Sequence, residues 1–115
     1  MEDEPVLREM AMVILEREGF RVLAASDAIQ ANAFWEAESD SIDILLTDFQ
    51  IPGNSGAELA RFFKAEKPTL QVIIATGSVE LPPDAISSLR FHYKILAKPF
   101  APAKLVAIVN EGNSK

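Results

Sequence analysis

Short apolar runs alternate with helix-period segments along the whole 115-residue chain, and no other feature restricts its fold so strongly. Residues 4–19 carry Val6, Leu7, Met10, Val13 and Ile14 at helical spacing, with Pro5 at the first turn and Gly19 past the end. Phe20 to Ala25 reads as a strand. Asp27 with Gln30 resembles a capping box that opens a second helix, to about Ser39, with Ala28, Ala31 and Trp35 on its inner face. Ile42 to Thr47 is an apolar run that ends in Asp48. Ser55 with Glu58 opens a third helix, which Leu59, Ala60, Phe62 and Phe63 carry inward until Pro68 stops it. Gln71 to Thr76 reads as a strand covered on both faces. Asp84 to Leu89 is a weak fourth helix, Tyr93 to Ala97 a last strand, and Pro102 begins a final helix with Leu105, Ile108 and Val109 on its buried face. The order α-β-α-β-α-β-α-β-α with short connections predicts a parallel sheet wrapped by right-handed crossovers.

Length suits one domain spanning residues 1–115. No apolar run approaches the roughly 18 residues that span a membrane. The acidic start Met1-Glu2-Asp3-Glu4 is unlike a signal peptide, so a cytoplasmic setting is the default. There is no cysteine, which excludes disulfides and thiolate metal sites. A formal net charge of −6 argues against a general nucleic-acid surface and is compatible with divalent cations and basic protein partners.

Three strand ends carry polar groups toward the sheet's C-terminal edge, where ligands bind in open α/β sheets. These are Asp48, Thr76 and Lys98, and Glu2-Asp3 can join them ahead of the first helix. Each has a plain structural reading: a helix-dipole partner for Glu2 and Asp3, a β-former for Thr76, a solvated charge for Lys98. The set together has a chemical one. Carboxylates plus a backbone carbonyl make a hard oxygen site for Mg²⁺, which retains several waters. A hydroxyl and an ammonium opposite can hold phosphoryl oxygens while an ionised Asp48 acts as nucleophile.

These residues resemble the receiver domains of two-component response regulators, through Glu2-Asp3-Glu4-Pro5, Leu46-Thr47-Asp48 with Pro52-Gly53 and Gly56, Ala75-Thr76-Gly77 and Lys98-Pro99-Phe100. The resemblance implies a flavodoxin-like doubly wound parallel sheet of order 2-1-3-4-5. It makes Asp48 the phosphoacceptor, Glu2 and Asp3 the acidic pair for Mg²⁺, Gln50 a backbone-carbonyl ligand, Thr76 the switch hydroxyl and Lys98 the phosphoryl partner. It also implies a sensor histidine kinase or histidine phosphotransfer protein as donor and a downstream protein target, without direct nucleic-acid or membrane contact. The face of the fourth helix, last strand and final helix would then change its partner preference. On this reading the chain is no enzyme beyond its own phosphoryl uptake and aspartyl-phosphate hydrolysis.

Two positions depart from the family pattern. An apolar strand, central in the sheet, precedes the acidic pair in family members, whereas here Met1 stands where it ends. The first strand is therefore expected to be missing or truncated, or its place filled by something else, with self-association as one consequence. The residue three before Lys98 is Ile95, where the family often carries an inward-turning aromatic. Two other functions fit less well. A receiver working by docking alone, without phosphorylation, is favoured by the missing strand. A small aspartate-nucleophile phosphohydrolase lacks a second acid two residues after Asp48, where Gln50 stands. The one histidine, His92, supports no histidine-based triad.

Overall fold

The computed structural model describes residues 1–2, 4–48, 50–51, 54–77, 94–98 and 100–113. Its elements are α1 (Pro5–Arg17), α2 (Ala28–Glu38), a 3-10 turn (Ser39–Ser41), β1 (Ile44–Asp48), β2 (Gln50–Ile51), β3 (Asn54–Ser55), α3 (Gly56–Glu66), β4 (Gln71–Gly77), β5 (Lys94–Lys98) and α4 (Pro102–Asn113). The weak helix expected at Asp84 to Leu89 lies outside the described residues.

The helix signals act through specific bonds. Pro5 occupies the first turn of α1. At its other end Gly19, at φ 93°, lets the chain reverse. The Gly19 amide donates to the Glu16 carbonyl and the Phe20 amide to that of Leu15, the paired bonds that close a helix around a left-handed glycine. Asp27 Oδ1 accepts from the Gln30 amide at 2.9 Å. Gln30 reaches back to the Ser26 amide rather than to Asp27's own, at 2.8 Å.

The main sheet is parallel, in the order β1-β4-β5. Its register pairs Asp48 with Ala75 and Gly77 with Lys98. β4 lies in the middle, and Val72, Ile73, Ile74 and Ala75 are buried, as its unbroken apolar run requires. Helices cover both faces. On one face Trp35, Leu59, Ala60, Phe63 and Leu70 pack on Val72 and Ile74, with the Trp35 and Phe63 rings stacked 4.4 Å apart. Leu105, Ile108 and Val109 of α4 cover Ile73, Ala75 and Leu96 on the other. An antiparallel ribbon, β2 with β3, follows Asp48 where a loop is expected from the Pro52-Gly53 signal.

Several sequence expectations are corrected. Phe20 to Ala25 forms no strand. A strand needs a partner for its backbone groups, and the space between this segment and β1 is a cavity of about 410 Å³. Only its upper end is bridged. The Met1 ammonium donates to the Leu46 carbonyl, the Asp48 amide donates to Met1 O at 2.9 Å, and the Glu2 amide donates to Ala25 O at 3.0 Å. Met1 thus stands opposite Thr47 as one rung of a parallel ladder. The same cavity leaves α1 without a buried residue. Val6 and Val13, expected inward, are 74% and 40% exposed, and Phe62 of α3 is 54% exposed. The inner side of α1 is instead Ala11, Ile14 and Leu15, partly buried against the α4 side of the core.

Burial lowers the pKa of the Met1 ammonium from 8.0 to about 6, against the pull of Glu2 and Asp48 and in the same direction as Arg8 and Lys98. Between those values the unfolded chain binds the proton and the folded chain does not. Stability therefore rises as pH goes from 6 to 8, by up to about 3 kcal/mol at about 1.4 kcal/mol per unit. Urea melts at the two pH values measure this. An Nα-acetylated chain should lose this increment, and an identical pH slope in both forms would contradict it.

Candidate functional site

The C-terminal ends of β1, β4 and β5 form one rim, and Asp48, Thr76 and Lys98 lie on it by register. Asp48 is the last residue of β1 and is 9% exposed. Its place depends on the glycine that starts α3. A Cβ built on Gly56 would meet Asp48 O at 1.9 Å and Thr47 Oγ1 at 2.7 Å. Thr47 is fully buried, and its hydroxyl donates to Asp48 O at 2.9 Å. The first turn of α3 thus lies directly against the Asp48 backbone, a close approach that only glycine permits. Gly56→Ala is expected to push these backbones apart and cost about 1–3 kcal/mol or more. Thermal melting measures the loss, and a wild-type melting temperature would show that the contact yields freely.

Lys98, the last residue of β5, crosses the rim. Its Nζ lies 3.0 Å from Asp48 Oδ1 and 2.9 Å from Glu2 Oε1. All three side chains are at most 16% exposed. Burial lowers the Lys98 pKa, but the hydrogen bonds and charges of Glu2 and Asp48 outweigh it and hold the pKa above the ordinary lysine value. The ammonium is thus charged at neutral pH, and the pair of carboxylates already shares one cation. Glu2 is held from both sides. Its amide is bonded to Ala25, its carbonyl accepts from Arg8 Nη1 at 3.0 Å, and its Oε2 accepts from the Glu4 amide at 3.1 Å.

The structure therefore brings Glu2, Asp48 and Lys98 together. It places the Thr76 backbone one residue beyond Asp48's ladder partner, beside Ala97. Gln50 lies in β2, two residues after Asp48. Asp3 lies outside the described residues. Among the described residues no group of three or more His, Asp or Glu side chains gathers to hold a metal. Two carboxylates that share an ammonium are nonetheless the donor chemistry that suits a hard dication. Ile95 packs, half-buried, against the Trp35–Phe63 side of the core, so the position three before Lys98 is an aliphatic core contact. Sequence reasoning missed Gly56's steric role toward Asp48 and Arg8's hold on the Glu2 carbonyl. The Ser-Gly start of α3 was a signal for the first; an arginine off the apolar face of α1 was none for the second.

Among known proteins, the sequence family described as response regulator receiver domain matches residues 1–110. The phosphate regulon transcriptional regulatory protein PhoB of Pseudomonas aeruginosa is 34% identical over 111 residues, covering 93% of this chain and 47% of PhoB. The C4-dicarboxylate transport transcriptional regulatory protein DctD of Rhizobium meliloti is 31% identical over all of this chain and 25% of its own length. The chain thus spans about half or less of these two relatives. Among solved structures, a response regulator receiver domain protein from Clostridium thermocellum superposes with a TM-score of 0.85 at 29% identity, over 96% of this chain and 88% of that one. A CheY-like receiver domain protein from Methanospirillum hungatei gives 0.82 at 27% identity, over 96% and 86%.

Proposed function

The chain belongs to the response regulator receiver domain family of two-component systems, and we propose that residues 1–115 work as one receiver unit that takes a phosphoryl group on Asp48. The observation that carries this reading is the Lys98 ammonium held between Glu2 and Asp48, at 2.9 and 3.0 Å. It gives two carboxylates at a strand-end rim one shared counter-charge.

In the proposed reaction an Asp48 carboxylate oxygen attacks the phosphorus of a phosphohistidine on a sensor kinase or phosphotransfer protein. The P–N bond breaks, the imidazole leaves with its electron pair and takes up a proton, and Asp48 becomes an acyl phosphate. Lys98 releases the carboxylate oxygen it holds and pairs with a phosphoryl oxygen. The Thr76 hydroxyl takes another. Glu2, Asp3, Asp48 and the Gln50 carbonyl would hold Mg²⁺, which offsets the charge that builds on the phosphoryl oxygens. The consequence is a changed preference of the β5 and α4 side for a downstream protein, in the cytoplasm. Among the described residues no helix is long and apolar enough to cross a membrane.

The test uses acetyl phosphate as donor. The protein should gain the mass of one phosphoryl group with Mg²⁺ and not with EDTA, and Asp3→Ala should lose both Mg²⁺ binding and the gain. An unchanged Mg²⁺ titration in Asp3→Ala would remove the acidic pair from the site. Failure of the wild type to label in Mg²⁺ would favour the second reading, a docking module that works without phosphorylation.

A further inference from the structure

Among the described residues the buried polar ones are neighbours, Thr47 and Asp48. Asp48 has its place in the chemistry of the rim. Thr47 has none there, yet it is fully buried. A buried hydroxyl costs free energy unless it is bonded, and valine would fill the same β-branched shape without one. What the hydroxyl adds is therefore its bond to Asp48 O, at 2.9 Å.

That carbonyl stands where the chain leaves the main sheet. Asp48 is the last residue of β1, and its pairing with Ala75 is the last rung of β1 with β4. Two residues on, Gln50 enters the ribbon, where its ladder partner is Ser55. Ser55 is joined to Gly56, and a Cβ on Gly56 would run into both Asp48 O and Thr47 Oγ1. The backbone thus makes a closed ring. It runs out from Asp48 to Gln50, across to Ser55, and back through Gly56 onto the Asp48 carbonyl. The Thr47 hydroxyl sits at the closure, bonded to the oxygen that Gly56 approaches. A side-chain donor of this kind fixes a peptide plane by a bond the sheet ladder does not supply.

Two of the oxygen donors assigned to Mg²⁺ lie on this ring, the Asp48 carboxylate and the Gln50 carbonyl. Mg²⁺ tolerates little departure from octahedral geometry, so the spacing of these donors governs its affinity. We propose that Thr47 is a positioning residue of the rim: its hydroxyl, bonded to Asp48 O against Gly56, holds the Asp48 carboxylate and the Gln50 carbonyl at the spacing a divalent cation requires. The proposal rests on the reading of the rim as a Mg²⁺ and phosphoryl site. Thr47 acts through Asp48 and Gln50 and is not itself a ligand. A hydroxyl that served the fold alone would change the melting temperature and leave the affinity for Mg²⁺ as it was.

The test is a Mg²⁺ titration followed by amide NMR, on the wild type and on Thr47→Val, Thr47→Ser and Thr47→Ala, each with a thermal melt. Thr47→Val removes the donor and keeps the branched shape. It should bind Mg²⁺ about tenfold more weakly, the low end of what outer-shell partners of a metal ligand contribute. Its labelling by acetyl phosphate should slow at limiting Mg²⁺ and recover as Mg²⁺ is raised. Serine keeps the hydroxyl and alanine lacks it, at nearly the same size. Thr47→Ser should therefore bind Mg²⁺ more tightly than Thr47→Ala, a comparison that holds even where valine does not fit. Without Mg²⁺, the amides of Asp48 and Gln50 should exchange hydrogen faster in Thr47→Val than in the wild type, while those of Val72 to Ala75 keep their rates. Wild-type affinity in Thr47→Val, equal affinity in the serine and alanine variants, or unchanged exchange at Asp48 and Gln50 each overturns the role of Thr47 and leaves the metal reading standing. A wild type that binds no Mg²⁺ overturns both.

Discussion

Replacement of Asp48 by asparagine is expected to bring phosphoryl labelling down to background. Asparagine keeps the size of the side chain and one acceptor oxygen, but it removes the anionic nucleophile. The adduct on the wild type should be an acyl phosphate, lost on mild base treatment, and no second residue should carry it. The fold should survive, since Glu2 still pairs Lys98 at 2.9 Å when Asp48 is neutral. The stability change should stay under about 2 kcal/mol. Intact-mass measurement before and after base, with a thermal melt of the same samples, reads both quantities. Full, base-labile labelling of Asp48→Asn would mean that a different carboxylate is the nucleophile.

The second large effect concerns the sheet. Lengthening the chain ahead of Met1 by about six apolar residues is expected to stabilise it by several kcal/mol. The added strand would run from Met1 down the 410 Å³ cavity. It would pair with Ile44 and Leu46 on one side and with 20–25 on the other, and would turn those residues into a strand. Each buried apolar side chain contributes about 1.5–3 kcal/mol, partly offset by ordering about 1–2 kcal/mol of backbone entropy per residue. The Met1 nitrogen also becomes an amide, which removes the cost of burying an ionisable amine. For a domain near this size, 1 kcal/mol moves the melting temperature by about 4–8 °C, so a rise of at least about 10 °C is expected. Any dimer of the shorter chain should weaken. A lengthened chain with unchanged melting temperature and no new amide protection at 20–25 would show that the cavity does not accept a strand.

Much of the fold was legible because its signals are local. The Asp27–Gln30 pair, Pro5, Gly19 and Pro102 act within one turn of where they stand. The apolar run of β4 declares its own burial, since a central strand touches the core on both faces. Asp48 and Lys98 were legible as rim residues because each is a charge at the end of an apolar run, where only a rim can take it. Other features depend on what lies across space. Phe20 to Ala25 has the composition of a strand, yet a strand exists only when a neighbour accepts its backbone bonds, and here the neighbour's place is a cavity. Val6, Val13 and Phe62 have core chemistry and stand in solvent, because helical spacing says which residues share a face but not how far the next layer reaches. That Lys98 holds both Glu2 and Asp48 joins residues from opposite ends of the chain, and only the parallel register brings them within 3.0 Å of one ammonium. By itself the sequence determined which of the described segments are helical, which run is central and which charges end at the rim. The tertiary structure decided which edges are paired, which apolar faces are covered and how the charges at the rim are shared, because those depend on partners supplied by distant parts of the chain.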